Sequence, residues 1–433
     1  MTEYSLKQLQ ELRLEANKDK DVFVTLLEGS AEIFGAELQL GSKVSLRGNA
    51  LAVFTWHGCK LAIEGEPDFV YVAEDTPNVS YINCHQVLHN LRQEAQASGG
   101  QGPRVVVAGP TDSGKSSMCR MLLNWAVRAQ HQPTYVDLDI VRAQHQPTYV
   151  DLDIGQGSIT VPGCLAATPV EAPITIEEGY PTQAPLVYFF GHTSPDKQEE
   201  LYRYLVDKLC SVLDSRASSS PEVAAAGMVV NTMGYVDGLG YELLLHAIKS
   251  LKADVVLVME QDRLFTQLTN QLKSEVGAMG KTVSVVKLYK SGGVAQRSSS
   301  ARQQARAARI KEYFYGPDGG LQPVSVDLDA TNMRVFRSGT GPRPPSSALP
   351  LGQARAANPL KVTPVVVSLE LEQSLLAVSH AQVPDQLLPS NVAGFVWING
   401  VDVTSNKVTC LMPTSAAMPG SYLLTGTIKT FIQ

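Results

Sequence analysis

The sequence of 433 residues contains no apolar run of the roughly 20 residues that a membrane-spanning helix needs, so no membrane segment is expected. Its first residues, Met1–Ser5, lack the basic and then apolar order of a secretion signal. The six cysteines lie far apart, and no two of them form a C-x-x-C pair. This pattern argues against a zinc site or a disulfide framework and fits a reducing compartment.

An excess of positive charge is also missing. The formal net charge is −6, which argues against a protein that binds nucleic acid with its whole surface. Any contact with RNA must therefore come from a local basic cleft. A hydrophobic fraction of 44% with 18% charged residues is typical of a folded, soluble protein, and the length predicts two or three domains.

The first part of the chain is rich in short segments with β propensity. Val22–Leu27, Gly29–Gly35 and Ala50–Trp56 are such segments, separated by turns that contain glycine. Strands at this spacing predict a small β-sandwich over residues 1–97. The polar, glycine-rich stretch Ser98–Pro103 is predicted to be a linker.

The central part has a different pattern, with mostly apolar runs that alternate with helix-like stretches. Strands that are apolar on both faces predict a parallel sheet covered by helices, and hence an α/β domain over residues 104–317. The predicted strands are Val105–Ala108, Leu186–Phe190, Met228–Asn231, Val255–Met259 and Ser284–Leu288.

The remaining residues, 318–433, predict a third and smaller domain of mainly β character. Val324–Val326 and Val365–Leu369 are its clearest segments with β propensity, and Gly341–Pro345 is a proline-rich connection.

A segment of 14 residues occurs twice in tandem. Val127–Ile140 is repeated without change as Val141–Ile154. The repeat is shorter than the periods of structural repeats, which start near ~20 residues. We interpret it as a recent duplication or a gene-model error. Only one of the two copies can form the next strand of the predicted α/β domain.

The segment Gly109–Ser116 has the pattern G-x-x-x-x-G-K-S. Its glycines let backbone N–H groups turn towards phosphates, Lys115 reaches the β- and γ-phosphates, and the Ser116 hydroxyl is a ligand for Mg²⁺. An apolar strand precedes the loop and a helix-like stretch follows it, which argues against a chance glycine-rich turn. The predicted ATP-binding residues of the loop are Gly109, Pro110, Thr111, Asp112, Ser113, Gly114, Lys115, Ser116 and Ser117.

An acidic strand end is the second expected element of such a site, because a carboxylate there can hold magnesium directly or through water. Asp151 and Asp153 provide it in the second copy, and Asp137 and Asp139 provide it in the first. Connections that leave a strand line the ligand site, whereas those that enter it lie at the opposite edge of the sheet. This favours Asp153, although an acidic pair on a surface turn has the same pattern.

Four arginines follow the flexible stretch Lys290–Gly293. The last three are four and three residues apart and share one face of a helix. They are suited to close over phosphates and offset charge on a transferring phosphoryl group, and the spacing fits a solvated basic face equally well. The four are Arg297, Arg302, Arg306 and Arg309.

Taken together, these segments resemble the eukaryotic polyribonucleotide 5′-hydroxyl-kinase family, the subunit shared by pre-mRNA cleavage factor and tRNA-splicing complexes. The residues of the phosphate loop and of Gly240–His246 are most similar to those of the plant and algal branch. The resemblance covers nearly the whole chain. Outside the phosphate loop it is carried by Ala31–Gly35, Phe54–Cys59, Gly102–Val105, Asp153–Ser158, Asn231–Gly234, Lys290–Val294 and Glu312–Gly316.

The resemblance implies an N-terminal β domain that helps to enclose the adenine, with Glu15 as a candidate contact. It implies Lys115, Asp153, Arg297 and Arg306 as catalytic residues and Ser116 with Asp153 as magnesium ligands. It also implies Gln156, Thr193 and Tyr235 as contacts for substrate RNA, where Tyr235 replaces the usual tryptophan of the family and still offers a stacking face. Implied partners are an RNA 5′ end, pre-mRNA cleavage factor subunits and the tRNA-splicing endonuclease, and the implied location is the nucleus.

The leading interpretation is therefore an ATP- and Mg²⁺-dependent kinase of RNA 5′-hydroxyl groups in the mRNA 3′-end cleavage and polyadenylation machinery. The alternative is a catalytically silent scaffold that holds ATP and docks cleavage-factor partners. A GTPase is disfavoured, because the sequence has no Asn-Lys-x-Asp element for guanine.

Overall fold

A computed structural model describes residues 1–16, 20–46, 50–128, 145–181, 183, 185–196, 198–317, 319–338 and 360–432. They form two compact units. The first unit comprises Met1–Val150, Thr168–Gln183 and Asp214–Arg297, and the second comprises Asp151–Ala167, Ala184–Leu213 and Ser298–Gln433. Among the described residues, no helix is both long enough and apolar enough to span a membrane. All six cysteines are free thiols.

The first unit begins with two antiparallel sheets, as the β propensity of this region predicted. Their order is β1-β8-β3-β6 and β5-β4-β7-β2-β9. Buried and less buried positions alternate along β3, and the buried ones contribute to a common apolar core. The strands are β1 (Thr2–Leu6), β2 (Glu11–Glu15), β3 (Phe23–Gly29), β4 (Glu32–Ile33), β5 (Ala36–Glu37), β6 (Lys43–Ser45), β7 (Ala50–Phe54), β8 (Cys59–Glu64) and β9 (Phe69–Ala73).

A long helix, α1 (Asn78–Ser98), follows β9 and corrects the expectation of β structure throughout residues 1–97. Its buried face includes Asn78, His85 and Arg92 beside Tyr81 and Leu88. Polar side chains on the buried face hide the apolar helical period, which is why the sequence pattern did not reveal the helix. The helix ends at Gly99, where the predicted linker begins.

The rest of the first unit is an α/β layer. Strand β10 pairs in parallel with β14 and with β15, and β15 pairs in parallel with β16, as predicted. Every residue of β10 and of β15 is buried, as expected for strands of a parallel sheet that is covered on both faces. The elements are β10 (Arg104–Ala108), α2 (Lys115–Arg128), β11 (Thr148–Asp151), α4 (Pro221–Ala226), β14 (Met228–Asn231), α5 (Leu239–Ser250), β15 (Val255–Met259), α6 (Asp262–Gln271) and β16 (Ser284–Leu288).

Strand β11 comes from the second copy of the duplicated segment. In the first copy, Val127 and Arg128 complete α2, and residues 129–140 lie outside the described residues.

Two further strands, β12 (Cys164–Pro169) and β13 (Leu186–Phe189), pair with each other antiparallel. The prediction that Leu186–Phe190 runs parallel is therefore wrong for this strand. No helix is found among the described residues that connect the two, and antiparallel neighbours need no crossover helix. Helix α3 (Glu199–Ser219) follows β13.

The second unit continues with α7 (Ser299–Tyr315) and a sheet with the order β17-β22-β21-β20-β23-β18-β19. Among the strands of this sheet that the structure describes, β18 and β23 pair in parallel and the other neighbours pair antiparallel. The predicted strand Val365–Leu369 is wrong: the strand β19 ends at Pro364, which has no N–H for the ladder, and Val366 is exposed. The strands are β17 (Val324–Asp329), β18 (Arg334–Ser338), β19 (Val362–Pro364), β20 (Ser374–Ser379), β21 (Val392–Asp402), β22 (Lys407–Met412) and β23 (Tyr422–Lys429).

Candidate functional site

The phosphate loop joins the carboxyl end of β10 to the first turn of α2. Gly109 and Gly114 have φ angles of 155° and 87°, which side chains other than glycine rarely allow. A Cβ atom on Gly109 would lie 2.9 Å from Ser113 Oγ and 3.0 Å from Met259 Cβ. A Cβ atom on Gly114 would lie 3.2 Å from Val294 Cγ2. The tight cradle therefore requires glycine at both positions, as the motif predicted.

Lys115 begins α2 and folds back over the loop. Its side chain is 7% exposed, and its Nζ donates a hydrogen bond to the carbonyl oxygen of Pro110 at 2.8 Å. Ser116 and Ser117 follow in the same first turn, where helix N–H groups favour an anion. The ammonium thus lies within its own loop, in the position from which it can bind a polyphosphate.

Tyr235 is fixed beside the phosphate loop by two close backbone approaches. A Cβ atom on Gly234 would lie 2.6 Å from Thr111 Cα, and one on Gly240 would lie 2.5 Å from Tyr235 Cγ. The tyrosine ring therefore rests on the start of α5, one residue from the contact with the loop. It is 42% exposed and offers a stacking surface.

Arg297 is tied to the loop through its backbone. Its N–H donates to Asp112 Oδ2 at 2.9 Å, and Asp112 itself has a φ of 56°. The Arg297 side chain is exposed to solvent. The structure thus brings a predicted lid arginine to the predicted phosphate loop.

The acidic turn, Asp151–Ser158, follows β11. Asp151 is 2% exposed, and its Oδ2 accepts hydrogen bonds of 2.7 Å from both the N–H and the hydroxyl of Ser158. Its Oδ1 accepts from the Asp153 N–H at 3.1 Å. Asp153 Oδ1 accepts from the N–H groups of Gly155 and Gln156, both at 3.0 Å. The carboxylates of Asp151 and Asp153 therefore both shape the turn through hydrogen bonds to its backbone.

Tyr202 on α3 also holds the acidic turn, a role that no motif in the sequence indicates. Its hydroxyl donates to the carbonyl oxygen of Leu152 at 3.1 Å. Burial, followed by the charges of Asp153 and Asp151, raises the pKa of Tyr202 above its usual range. The hydroxyl therefore stays protonated and can serve as a donor.

Helix α7 contacts the same turn. Gln156 Nε2 donates to the carbonyl oxygen of Arg302 at 3.4 Å, and the Arg309 guanidinium donates to the carbonyl oxygen of Ser158. Arg309 also pairs with Glu312 at 2.9 Å. Arg309 thus anchors the helix to the turn, a role that its spacing alone did not reveal. Half-buried Arg306 lies one turn away from both Arg302 and Arg309.

Thr193 lies next to the acidic turn, because a Cβ atom on Gly155 would be 3.1 Å from the Thr193 carbonyl oxygen. The structure therefore groups Asp153, Gln156 and Thr193 in the second unit.

Glu15, the predicted adenine contact, is an exposed residue at the end of β2 and pairs in register with Phe69. Glu11, four residues earlier, is buried and accepts hydrogen bonds from Arg13 and Thr76. The role of Glu15 stays a prediction.

No group of three or more histidine, cysteine or carboxylate side chains that could hold a metal ion occurs in the part of the chain that the structure describes. Ser116, in the first turn of α2, is an exposed residue. A hydroxyl at this position of a phosphate loop is a suitable ligand for Mg²⁺.

Three sequence models match successive parts of the chain. The N-terminal beta-sandwich domain of polyadenylation factor matches residues 5–95. The mRNA cleavage and polyadenylation factor CLP1 P-loop matches residues 109–144 and 140–316, two ranges that meet inside the duplicated segment. The pre-mRNA cleavage complex II protein Clp1 matches residues 321–430.

Full-length relatives agree with these matches. The protein CLP1 homolog of Arabidopsis thaliana is 43% identical, covering 99% of this chain and 94% of its own length. The chain belongs to the Clp1 family. The polyribonucleotide 5′-hydroxyl-kinase Clp1 of Rattus norvegicus is 40% identical, over 98% of this chain and 95% of its own length. The family resemblance predicted from the sequence is confirmed.

Solved structures confirm the Clp1 fold. The wild-type Clp1p–Pcf11p complex matches with a TM-score of 0.82 and 22% identity, over 99% of this chain and 97% of that chain. A second structure, of an extended Pcf11p–Clp1p interface and of a point mutant that loses ATP, matches with a TM-score of 0.82 and 21% identity. The predicted fold class, an α/β P-loop domain with an N-terminal β-sandwich, is therefore confirmed.

Proposed function

We propose that this protein is an ATP-dependent kinase of RNA 5′-hydroxyl groups within the mRNA 3′-end cleavage and polyadenylation machinery. The observation that carries the proposal is the phosphate loop, with its two obligate glycines and with Lys115 folded over it. The activity in the names of animal relatives, such as that of Rattus norvegicus, supports the choice of substrate.

The phosphate loop and the first turn of α2 bind the triphosphate of ATP. Lys115 and the two lid arginines, Arg297 and Arg306, offset the charge that spreads over the transferring oxygens. Ser116 and Asp153 would hold Mg²⁺, which would offset negative charge that develops during phosphoryl transfer.

Asp153 also orients or deprotonates the attacking RNA 5′-hydroxyl. The chain enters the acidic turn from the carboxyl end of β11, just as it enters the phosphate loop from the carboxyl end of β10. Ligand-binding groups in α/β sheets come from such strand ends, which supports this role. The hydrogen bonds from Gly155 and Gln156 fix one carboxylate oxygen and hold the group in one orientation.

Three residues contact the RNA in this proposal. Tyr235 stacks on a base, and its fixed, half-exposed ring beside the phosphate loop supports that role. Gln156 also contacts the RNA, and Thr193 lies near the RNA phosphate. Glu15 contributes to the adenine pocket of the N-terminal domain.

The partners proposed here are cleavage-factor subunits of the Pcf11 kind, together with the tRNA-splicing endonuclease, and the location is the nucleus. The structural match to a Clp1p–Pcf11p complex supports the first of these partners.

The test is phosphate transfer from γ-labelled ATP to oligoribonucleotides. We expect the purified protein with Mg²⁺ to label an oligoribonucleotide that has a 5′-hydroxyl and to leave a matched 5′-phosphorylated one unlabelled. Protein that retains ATP but labels neither would overturn the kinase proposal and support the silent scaffold.

A further inference from the structure

Arg13 on β2 is held rigidly within the N-terminal sheets. Its Nε donates to Glu11 Oε1 at 2.6 Å, and its Nη2 donates to the carbonyl oxygen of Asp75 at 2.7 Å. The side chain is 11% exposed, and Glu11 is buried and also bonded to Thr76. The guanidinium is therefore fixed in orientation from one side.

Two glycines lie against the other side of this guanidinium. A Cβ atom on Gly292 would lie 2.8 Å from Arg13 Nη1, and one on Gly293 would lie 3.2 Å from Arg13 Cδ and Nε. Neither glycine has a φ in the left-handed region. Glycine is thus needed here for the close approach of Arg13 and not for the backbone conformation.

A second contact holds the chain just before Gly292 and Gly293. The Tyr81 hydroxyl on α1 donates to the carbonyl oxygen of Tyr289 at 2.5 Å. Burial in the first place raises the pKa of Tyr81, so this donor stays protonated.

On its far side, the segment touches the phosphate loop. Val294 Cγ2 packs against Gly114, and the Arg297 N–H donates to Asp112 Oδ2 at 2.9 Å. The contacts run without a break from Glu11 through Arg13 and the glycines to the phosphate loop, all within the first compact unit.

We propose that Arg13 is a positioning residue that presses the segment Ser291–Arg297 against the phosphate loop and so retains the bound nucleotide. Arg13 touches the segment and not the reacting groups. Its planar guanidinium donates to Glu11 and Asp75 and also lies against two glycines, a combination that lysine cannot provide. The inference rests on nucleotide binding at the phosphate loop, as proposed above.

The test is the dissociation rate of a fluorescent ATP analogue from the full-length protein. We expect Arg13→Ala to speed dissociation by about 10-fold, the size of a typical coupling between neighbouring groups. Gly292→Ala should speed it to a similar extent, because the new methyl group displaces the guanidinium. Gly320→Ala, at a glycine with open space around its Cβ position, is the matched control and should leave the rate unchanged.

The double variant Arg13→Ala/Gly292→Ala decides whether the two residues act through one contact. We expect its dissociation rate to equal that of either single variant, since the clash disappears with the guanidinium. The inference would be overturned if the rate increase of the double variant equalled the product of the two single increases. It would also be overturned if neither single variant changed the dissociation rate.

The separate effects of the variants on kcat and on KM for ATP distinguish this positioning role from partial unfolding. A clamped segment predicts a raised KM for ATP with a far smaller change in kcat, whereas partial unfolding reduces active protein and lowers apparent kcat alone. If the unaltered protein fails to bind ATP, the proposed function falls and this inference falls with it. If the unaltered protein binds ATP and the variants release it at the same rate, only this inference falls.

Discussion

His85, His89 and His145 lie close together in the first unit. The ring centroids of His85 and His89 are 6.1 Å apart, and those of His89 and His145 are 5.4 Å apart. Burial, and after it the nearby Arg92 guanidinium, lowers the pKa of His85 to about 3. The pKa of His145 is lowered to about 4 for the same reasons. Both imidazoles are therefore neutral in the folded protein at mild acid pH.

Because of this burial, we expect the free energy of unfolding to decrease as the pH is lowered below about 6.5, the pKa of histidine in an unfolded chain. Between that value and its folded pKa, His85 takes up a proton only on unfolding, so acid favours the unfolded state. The cost for His85 is about 2 kcal/mol at pH 5 relative to pH 7. We expect His85→Phe to reduce the pH dependence of the free energy of unfolding measured in urea.

His57, which is exposed, offers the matched control. His57→Phe should preserve the pH dependence of the unaltered protein. A His85→Phe variant with the full dependence would show that the lowered pKa of His85 does not contribute.

Residues of the phosphate loop could be predicted because they form one motif of eight consecutive positions, Gly109–Ser116. The roles of Arg13, Tyr202 and Arg309 could not be predicted, because each acts on a segment far away in the chain. Arg13 reaches Gly292, and Arg309 reaches Ser158. A single sequence records neither contact, since nothing local marks the two ends.

Among the elements, the buried strands β10, β14, β15 and β16 were predicted because strands covered on both faces leave continuous apolar runs. Helix α1 was missed for the opposite reason, since His85 and Arg92 interrupt its buried face. The acidic strand posed a different problem, because two identical copies cannot be told apart by propensity. Position in the chain favoured the second copy, and β11 lies there.

The position of β11 predicts different outcomes for the two copies. We expect Asp153→Asn to abolish phosphate transfer, because the carboxylate that orients the hydroxyl is lost. Asp139→Asn, the identical change in the other copy, should leave transfer unchanged. The measurement is the initial rate of labelling of a 5′-hydroxyl oligoribonucleotide, and a reversed result would assign the acidic strand to the first copy.

For the whole molecule, the domain ranges 1–97, 104–317 and 318–433 stay a prediction. The two compact units are a different division of the chain, because each gathers several separate segments. Asp151–Ala167, for example, belongs to the second unit although it begins at the last residue of β11, whose other residues belong to the first. Such interleaving depends on long-range packing, which local propensity does not encode.

The most direct measurement compares the rates of phosphate transfer by the Lys115→Ala and Lys249→Ala variants. Lys249 is the control, because it is exposed and forms a surface ion pair with Glu275. Loss of the ammonium over the phosphate loop should lower the transfer rate by about 100-fold or more, the scale seen when a group that stabilises transition-state charge is removed. Lys249→Ala should transfer phosphate at the unaltered rate. Equal transfer by both variants would contradict the account.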